Sequence, residues 1–139
     1  MAGFFTTAFL SVQLLQPAPP VETQTRYVAV LVAPQEKTPG WIIQASTQTP
    51  EPKIELIPVG AVEIPEGKAL QFWTKAKGWD APVSLGLVKK GQSLEVAIDQ
   101  LPPLEEDQLF ELTLEDESGS PTGLPTGPIY SIGRGVITL

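Results

Sequence analysis

The chain has 139 residues, a net charge of −7, and neither cysteine nor histidine. These absences exclude disulfides, thiol redox chemistry, Ser-His-Asp and Cys-His hydrolysis and the usual His/Cys zinc sites. With 42% hydrophobic and 18% charged residues the composition is globular, and fifteen prolines with twelve glycines interrupt it too often for long helices.

Met1–Leu15 is apolar, shorter than the ~20 residues of a spanning helix, and lacks the basic start of a signal peptide. Three readings stay open for it: the outer end of a transmembrane helix, an amphipathic segment docked on the domain, or a first strand. Gln16–Gln24 (Gln-Pro-Ala-Pro-Pro-Val-Glu-Thr-Gln) has the makeup of an extended linker stiffened by proline. The expected organisation is therefore an apolar segment over 1–15, a proline-rich linker over 16–25 and a domain over 26–139.

Within the domain, Tyr27–Ala33 is a continuous β-branched and apolar run, the pattern of a strand buried on both faces. A turn over Pro34–Gly40 returns Trp41–Ala45 as its hairpin partner. Lys53–Ile57 alternates, with Ile54 and Leu56 on one face. Leu70–Thr74 follows the turn Pro65–Lys68. Val83–Leu87 and Leu94–Ile98 flank Lys89-Lys90-Gly91-Gln92, a hairpin signal. A turn or two of helix is the only helical expectation, around Pro103–Gln108, where Glu105, Glu106 and Asp107 suit a helix N-terminus. Phe110, Leu112 and Leu114 then face one way, and Glu111, Thr113 and Glu115 the other. Ile129–Ile132 and Val136–Leu139 complete the chain. Roughly eight or nine short strands at such spacing predict an all-β fold, an antiparallel β-sandwich, with at most a short helical turn.

The acids from Asp99 to Glu117 have no Lys or Arg among them, so they read as a solvated rim that repels phosphate, and nucleic acid is not an expected partner. No calcium-loop motif accompanies them, and no metal or cofactor is expected. Paired carboxylates alternating outward along a strand do not form a glycosidase cleft, and no phosphate loop or Ser-x-x-Lys motif occurs, so no enzyme and no catalytic residue is expected. Lys75, Lys77, Lys89 and Lys90 read as strand-end and loop charges that protect edges. Trp73 follows Phe72, so the two face opposite sides of their sheet, one in the core and the other at the surface or under a neighbouring element. Trp79, in a Lys-Gly-Trp-Asp-Ala-Pro loop, is the best exposed contact residue, with Trp73 second.

The most informative string is Ser120-Pro121-Thr122-Gly123-Leu124-Pro125-Thr126-Gly127-Pro128, two Pro-Thr-Gly units four residues apart between two strands. Proline presets a turn and glycine closes it, so the segment reads as a rigid double turn. Taken with Arg26–Leu31, Pro39-Gly40-Trp41, Gly67–Trp73 and Pro82–Gly86 in that order, it resembles the C-terminal, extracytoplasmic domain of anti-sigma factors of the anti-sigma-K (RskA-like) type. That resemblance implies a non-enzymatic regulatory domain on the periplasmic side of a bacterial inner membrane. It would control release of an extracytoplasmic-function sigma factor by regulated proteolysis, with a periplasmic protease as partner and a membrane anchor in the N-terminal helix. The sigma factor itself would be held only by a cytoplasmic domain that this sequence does not include. The alternative is a free-standing periplasmic or secreted β-sandwich that binds carbohydrate or protein through an exposed aromatic cluster.

Overall fold

A computed structural model of the chain describes residues 26–46, 50–60, 62–89 and 92–138. Met1–Leu15, the Gln16–Gln24 linker, Lys90-Gly91 and Leu139 lie outside the described residues. Nine strands are present among those described: β1 Arg26–Val32, β2 Pro39–Ser46, β3 Lys53–Pro58, β4 Lys68–Lys75, β5 Val83–Val88, β6 Leu94–Ala97, β7 Leu109–Asp116, β8 Ile129–Arg134 and β9 Val136–Thr138.

All pairings are antiparallel, and the strands follow one another in the order β5-β4-β7-β8-β1-β2-β3-β6, with β9 on β1. The expected all-β fold therefore takes the form of one sheet, folded so that it nearly closes on itself like a barrel. The seam between its two halves is narrow. β8 reaches β1 at a single pair, Val32 with Ile132, and the chain then steps past Gly135 so that β9 pairs Arg26, Tyr27 and Val28.

Strand alternation builds the interior. Tyr27, Ala29 and Leu31 of β1 meet Trp41, Ile43 and Ala45 of β2, Ile54 and Leu56 of β3, Leu70 and Phe72 of β4 and Phe110 and Leu112 of β7. Phe110 sits between Phe72, stacked at 5.9 Å, and Tyr27, edge-on at 6.0 Å. Such aromatic pairs add to the stabilisation from burial alone. The Tyr27 hydroxyl leaves the core by donating to the Glu105 carbonyl at 2.7 Å. Its phenol is shifted upward, first by burial and then by the carboxylates of Glu106, Asp107 and Glu105.

Three sequence expectations change. The apolar run of β1 is buried on one face only: Val28 and Val32 are half-buried and Val30 is exposed, because among the described residues no second layer covers this part of the sheet. β5 and β6 are not a hairpin. They are the two ends of the strand order, each pairing a strand distant in sequence, β5 with β4 and β6 with β3. Hydrophobic registry won over the local turn signal: Val88 pairs Leu70 and Val96 pairs Ile54, which puts both into or against the core. The segment Pro103–Gln108 forms a turn with Asp107 at φ 65°, and no helix. Its backbone is engaged elsewhere, with Asp107 N–H donating to the Gly135 carbonyl and Gly135 N–H to the Gln108 carbonyl, both at 2.9 Å.

Candidate functional site

β7 and β8 are joined by twelve residues, far beyond the two to five of an ordinary hairpin, so this connection must fold against something. It folds back over the outer face of β7 and β4, and the side chains of that face hold it.

The grip centres on Glu115, 2% exposed. Its carboxylate accepts from Thr113 Oγ1 at 2.6 Å, from Thr126 N at 3.0 Å, from Gly127 N at 3.1 Å and from the Thr126 hydroxyl. Thr113 accepts in turn from Trp73 Nε1 at 2.8 Å. Donors therefore converge on the Glu115 carboxylate from two sides, Trp73 through Thr113 on one and the second Pro-Thr-Gly unit on the other. Burial pushes the Glu115 carboxyl upward, but the hydrogen bonds from Thr113, Thr126 and Gly127 outweigh it and hold the group below the ordinary carboxylate value. Charge-assisted bonds of this kind are about twice as strong as neutral ones.

Backbone contacts complete the anchor. Leu114 N–H donates to the Pro128 carbonyl at 3.0 Å, and Gly127 lies so close that a Cβ there would fall 1.6 Å from the Leu114 carbonyl oxygen. At the other end of the loop, Gln71 of β4 accepts from Ser120 N at 2.8 Å and donates to Ser84 of β5 at 2.7 Å.

The first Pro-Thr-Gly unit is treated differently. Pro121, Thr122, Gly123 and Leu124 are exposed, and the unit is ordered only from within. The Ser120 hydroxyl donates to the Leu124 carbonyl, and Thr122 Oγ1 lies 3.2 Å from both Ser120 Oγ and the Leu124 carbonyl oxygen. Gly123 takes φ 77°, the left-handed conformation glycine allows, with open space around it. The outcome is a stiff tip carrying Leu124, 45% exposed, on a base locked by a buried carboxylate.

The acids between Asp99 and Glu117 divide. Asp99, Glu105, Glu106, Asp107, Asp116 and Glu117 are exposed, as a solvated rim requires, but Glu111 and Glu115 are buried under the loop side of the sheet. Alternation along β7 correctly set them opposite Phe110 and Leu112; it could not reveal that the following loop would return onto Glu115. Trp73 is fully buried on that covered face and Trp41 is buried in the core. Trp79 is half-buried in the turn after β4, its N–H bonded to the Ala76 carbonyl at 3.1 Å. Among the described residues no three acidic side chains come together as a metal would need.

Sequence reading singled out this segment as a double turn; the first unit turns at Pro121-Thr122, the second lies along β7 without one, and what holds it, Glu115, Thr113 and Gln71, was missed. A twelve-residue connection following a strand with a polar outer row was the available signal.

A helix-free antiparallel β domain, built around a braced loop and without a catalytic constellation on that loop, is the kind of protein these features define. The family model for the anti-sigma-K factor rskA C-terminal region matches residues 1–129, and the chain belongs to that family. It is accordingly a regulatory domain of the anti-sigma factor type, and a sigma factor is the partner of the full-length protein. Comparison with curated proteins and with solved structures gave no match. No helix among the described residues is long and apolar enough to cross a membrane.

Proposed function

We propose that this chain is the extracytoplasmic part of a membrane-bound anti-sigma factor. Met1–Leu15 is then the outer end of the transmembrane helix, residues 16–25 the juxtamembrane tether, and the β domain the element that governs proteolytic release of the sigma factor. The observation that carries this reading is the extent of the family match, which begins at residue 1 and so takes in the apolar segment and the tether together with the β domain as far as the start of β8. An extended proline-rich tether is also accessible backbone of the kind proteases cut. The domain carries out no chemistry in this scheme; it sets how readily the tether is reached. The rival reading as a free-standing module that binds carbohydrate or protein through an exposed aromatic cluster loses support from the burial of Trp41 and Trp73 among the described residues.

The test is made in the source cell. The coding DNA upstream of Met1 should continue in frame through the apolar helix into a sigma-binding domain. Deleting residues 26–139 from that longer protein should change both cleavage within 16–25, read by immunoblot, and transcription from sigma-dependent promoters. Cleavage and transcription that ignored the deletion would remove the domain from control of release.

A further inference from the structure

The outer face of β1 carries an apolar surface that continues onto its neighbours. Val28 pairs Val136 of β9 and Val32 pairs Ile132 of β8, so each pair shares that face. Between them Val30 continues across the sheet through Ile42 of β2 to Ile57 of β3. Val30 is 46% and Val136 48% exposed. The continuous run of β1 has the pattern of a strand covered on both sides, yet among the described residues of the single chain only its inner side is covered. Contiguous apolar surface of this kind marks an interface.

Charge on this face is nearly balanced, although the chain as a whole carries −7. The strands β8, β9, β1, β2, β3 and β6 point Arg26, Lys53 and Arg134 outward against Glu55 and Glu95. Two copies therefore repel each other least when they meet here. Arg134 lies level with Val30, since the register runs from Val32–Ile132 on one side of it to Val28–Val136 on the other. Its guanidinium donates to the Asp107 carbonyl at 3.0 Å. Neither Arg134 nor Glu55 has an ion-pair partner among the described residues.

These two charges stand on opposite flanks of the apolar patch, Arg134 on β8 and Glu55 on β3. A two-fold axis parallel to the strands, between β1 and β2, exchanges β1 with β2 and the β8–β9 flank with β3. Arg134 of each copy then lies over Ile57 of the other. Glu55 is two residues, about 7 Å, further along that strand and within reach of an arginine side chain. The contact repeats on both sides of the axis, as an isologous interface requires. The four strands span about 19 Å and the rows from Arg26 to Val32 about 20 Å. Two such faces bury on the order of 1,000 Å², the low end for a specific interface, which fits a reversible dimer and not an obligate one.

We propose that the domain forms a reversible two-fold dimer through the outer face of β8–β9, β1, β2 and β3, centred on Val30, with Arg134 of each copy beside Glu55 of the other. The second layer that the apolar run of β1 calls for is then supplied by a second copy, and the two faces stack as the sheets of a β-sandwich do, about 10 Å apart. The proposal goes beyond the reading of the chain as part of an anti-sigma factor and uses no part of it.

Sedimentation velocity of the full 139-residue chain, from about 5 to about 500 µM, tests it. A concentration-dependent monomer–dimer equilibrium is expected. Val30→Lys should weaken it at least about tenfold with the far-UV spectrum unchanged, since the substituted side chain is exposed in the monomer. Arg134→Glu and Glu55→Arg should each weaken it about fivefold, because each variant meets like charge at both contacts. An equimolar mixture of those two variants should recover dimer to near the wild-type level, because both contacts of the mixed dimer then join opposite charges. A monomer over the whole range overturns the proposal, as would be found if the chain's own first 25 residues or a different protein covered the face. Association that ignores Val30→Lys, assembly beyond two copies, or a mixture no tighter than the single variants overturns it as well.

Discussion

Glu111 and Glu115 stand on the same strand and the same face, both buried, and their surroundings treat them in opposite ways. Glu115 is held below the ordinary carboxylate value because its hydrogen bonds outweigh burial; Glu111 is held above it by burial alone. The pH consequences therefore have opposite sign. Glu115 contributes stability that is fully present above its unfolded-state pKa and is lost as pH falls through its depressed folded value. Glu111 costs stability at neutral pH, and that cost disappears as pH falls below its unfolded-state value. Glu115→Gln should lower unfolding stability by about 2–3 kcal/mol at pH 7, since it sets an amide against the Thr126 and Gly127 donors, and the difference from wild type should shrink in acid. Glu111→Gln should leave stability equal or raise it at pH 7, and the gain should fade as pH drops. Urea denaturation of both variants at several pH values reads these slopes, and parallel behaviour of the two would contradict the assignment.

At the scale of the element, the Ser120–Pro128 loop holds two copies of Pro-Thr-Gly that do different work. Gly123 is needed for its left-handed backbone, with nothing near it; Gly127 is needed because the Leu114 carbonyl occupies the space of a side chain. Gly123→Ala should cost about 1 kcal/mol, the penalty of a left-handed L-residue. Gly127→Ala should cost about 3 kcal/mol by forcing the loop off β7, as overpacking does in a core. Thermal melts of the pair rank the two, and equal costs would mean the loop is not seated on β7. Amide exchange makes the same distinction without mutation. The Thr126 and Gly127 amides, bonded to a buried carboxylate, should exchange at least about tenfold more slowly than those of Thr122 and Leu124 at the exposed tip.

Across the whole molecule, the narrow seam at Val32–Ile132 and β9 raises the question of whether the two halves unfold together. Phe110 answers it, because it touches Phe72 in its own half and Tyr27 in the other. A core shared in this way predicts one cooperative transition, with tryptophan fluorescence and far-UV dichroism giving the same urea midpoint. Separated midpoints would show that β5-β4-β7-β8 melts apart from β1-β2-β3-β6. The open ends of the sheet, β5 and β6, are short strands of six and four residues, a length that limits pairing with other chains.

Local chemistry was enough to place the nine strands to within a residue or two, the core faces of β3 and β7, and the family. Alternation, β-branching and proline–glycine punctuation act over a few residues, so they are written where they operate. Three matters waited for the folded chain. β1 reads as doubly buried because apolar content does not say whether a second layer exists. Lys89–Gln92 reads as a hairpin because a turn signal cannot weigh the registry of Val88 with Leu70 against that of Val96 with Ile54. Glu115 reads as a surface acid because a strand's outer face is solvent unless something far along the chain covers it. The two Pro-Thr-Gly units are identical in sequence and unlike in role for the same reason: only one of them returns to within hydrogen-bonding distance of a buried carboxylate eleven residues earlier.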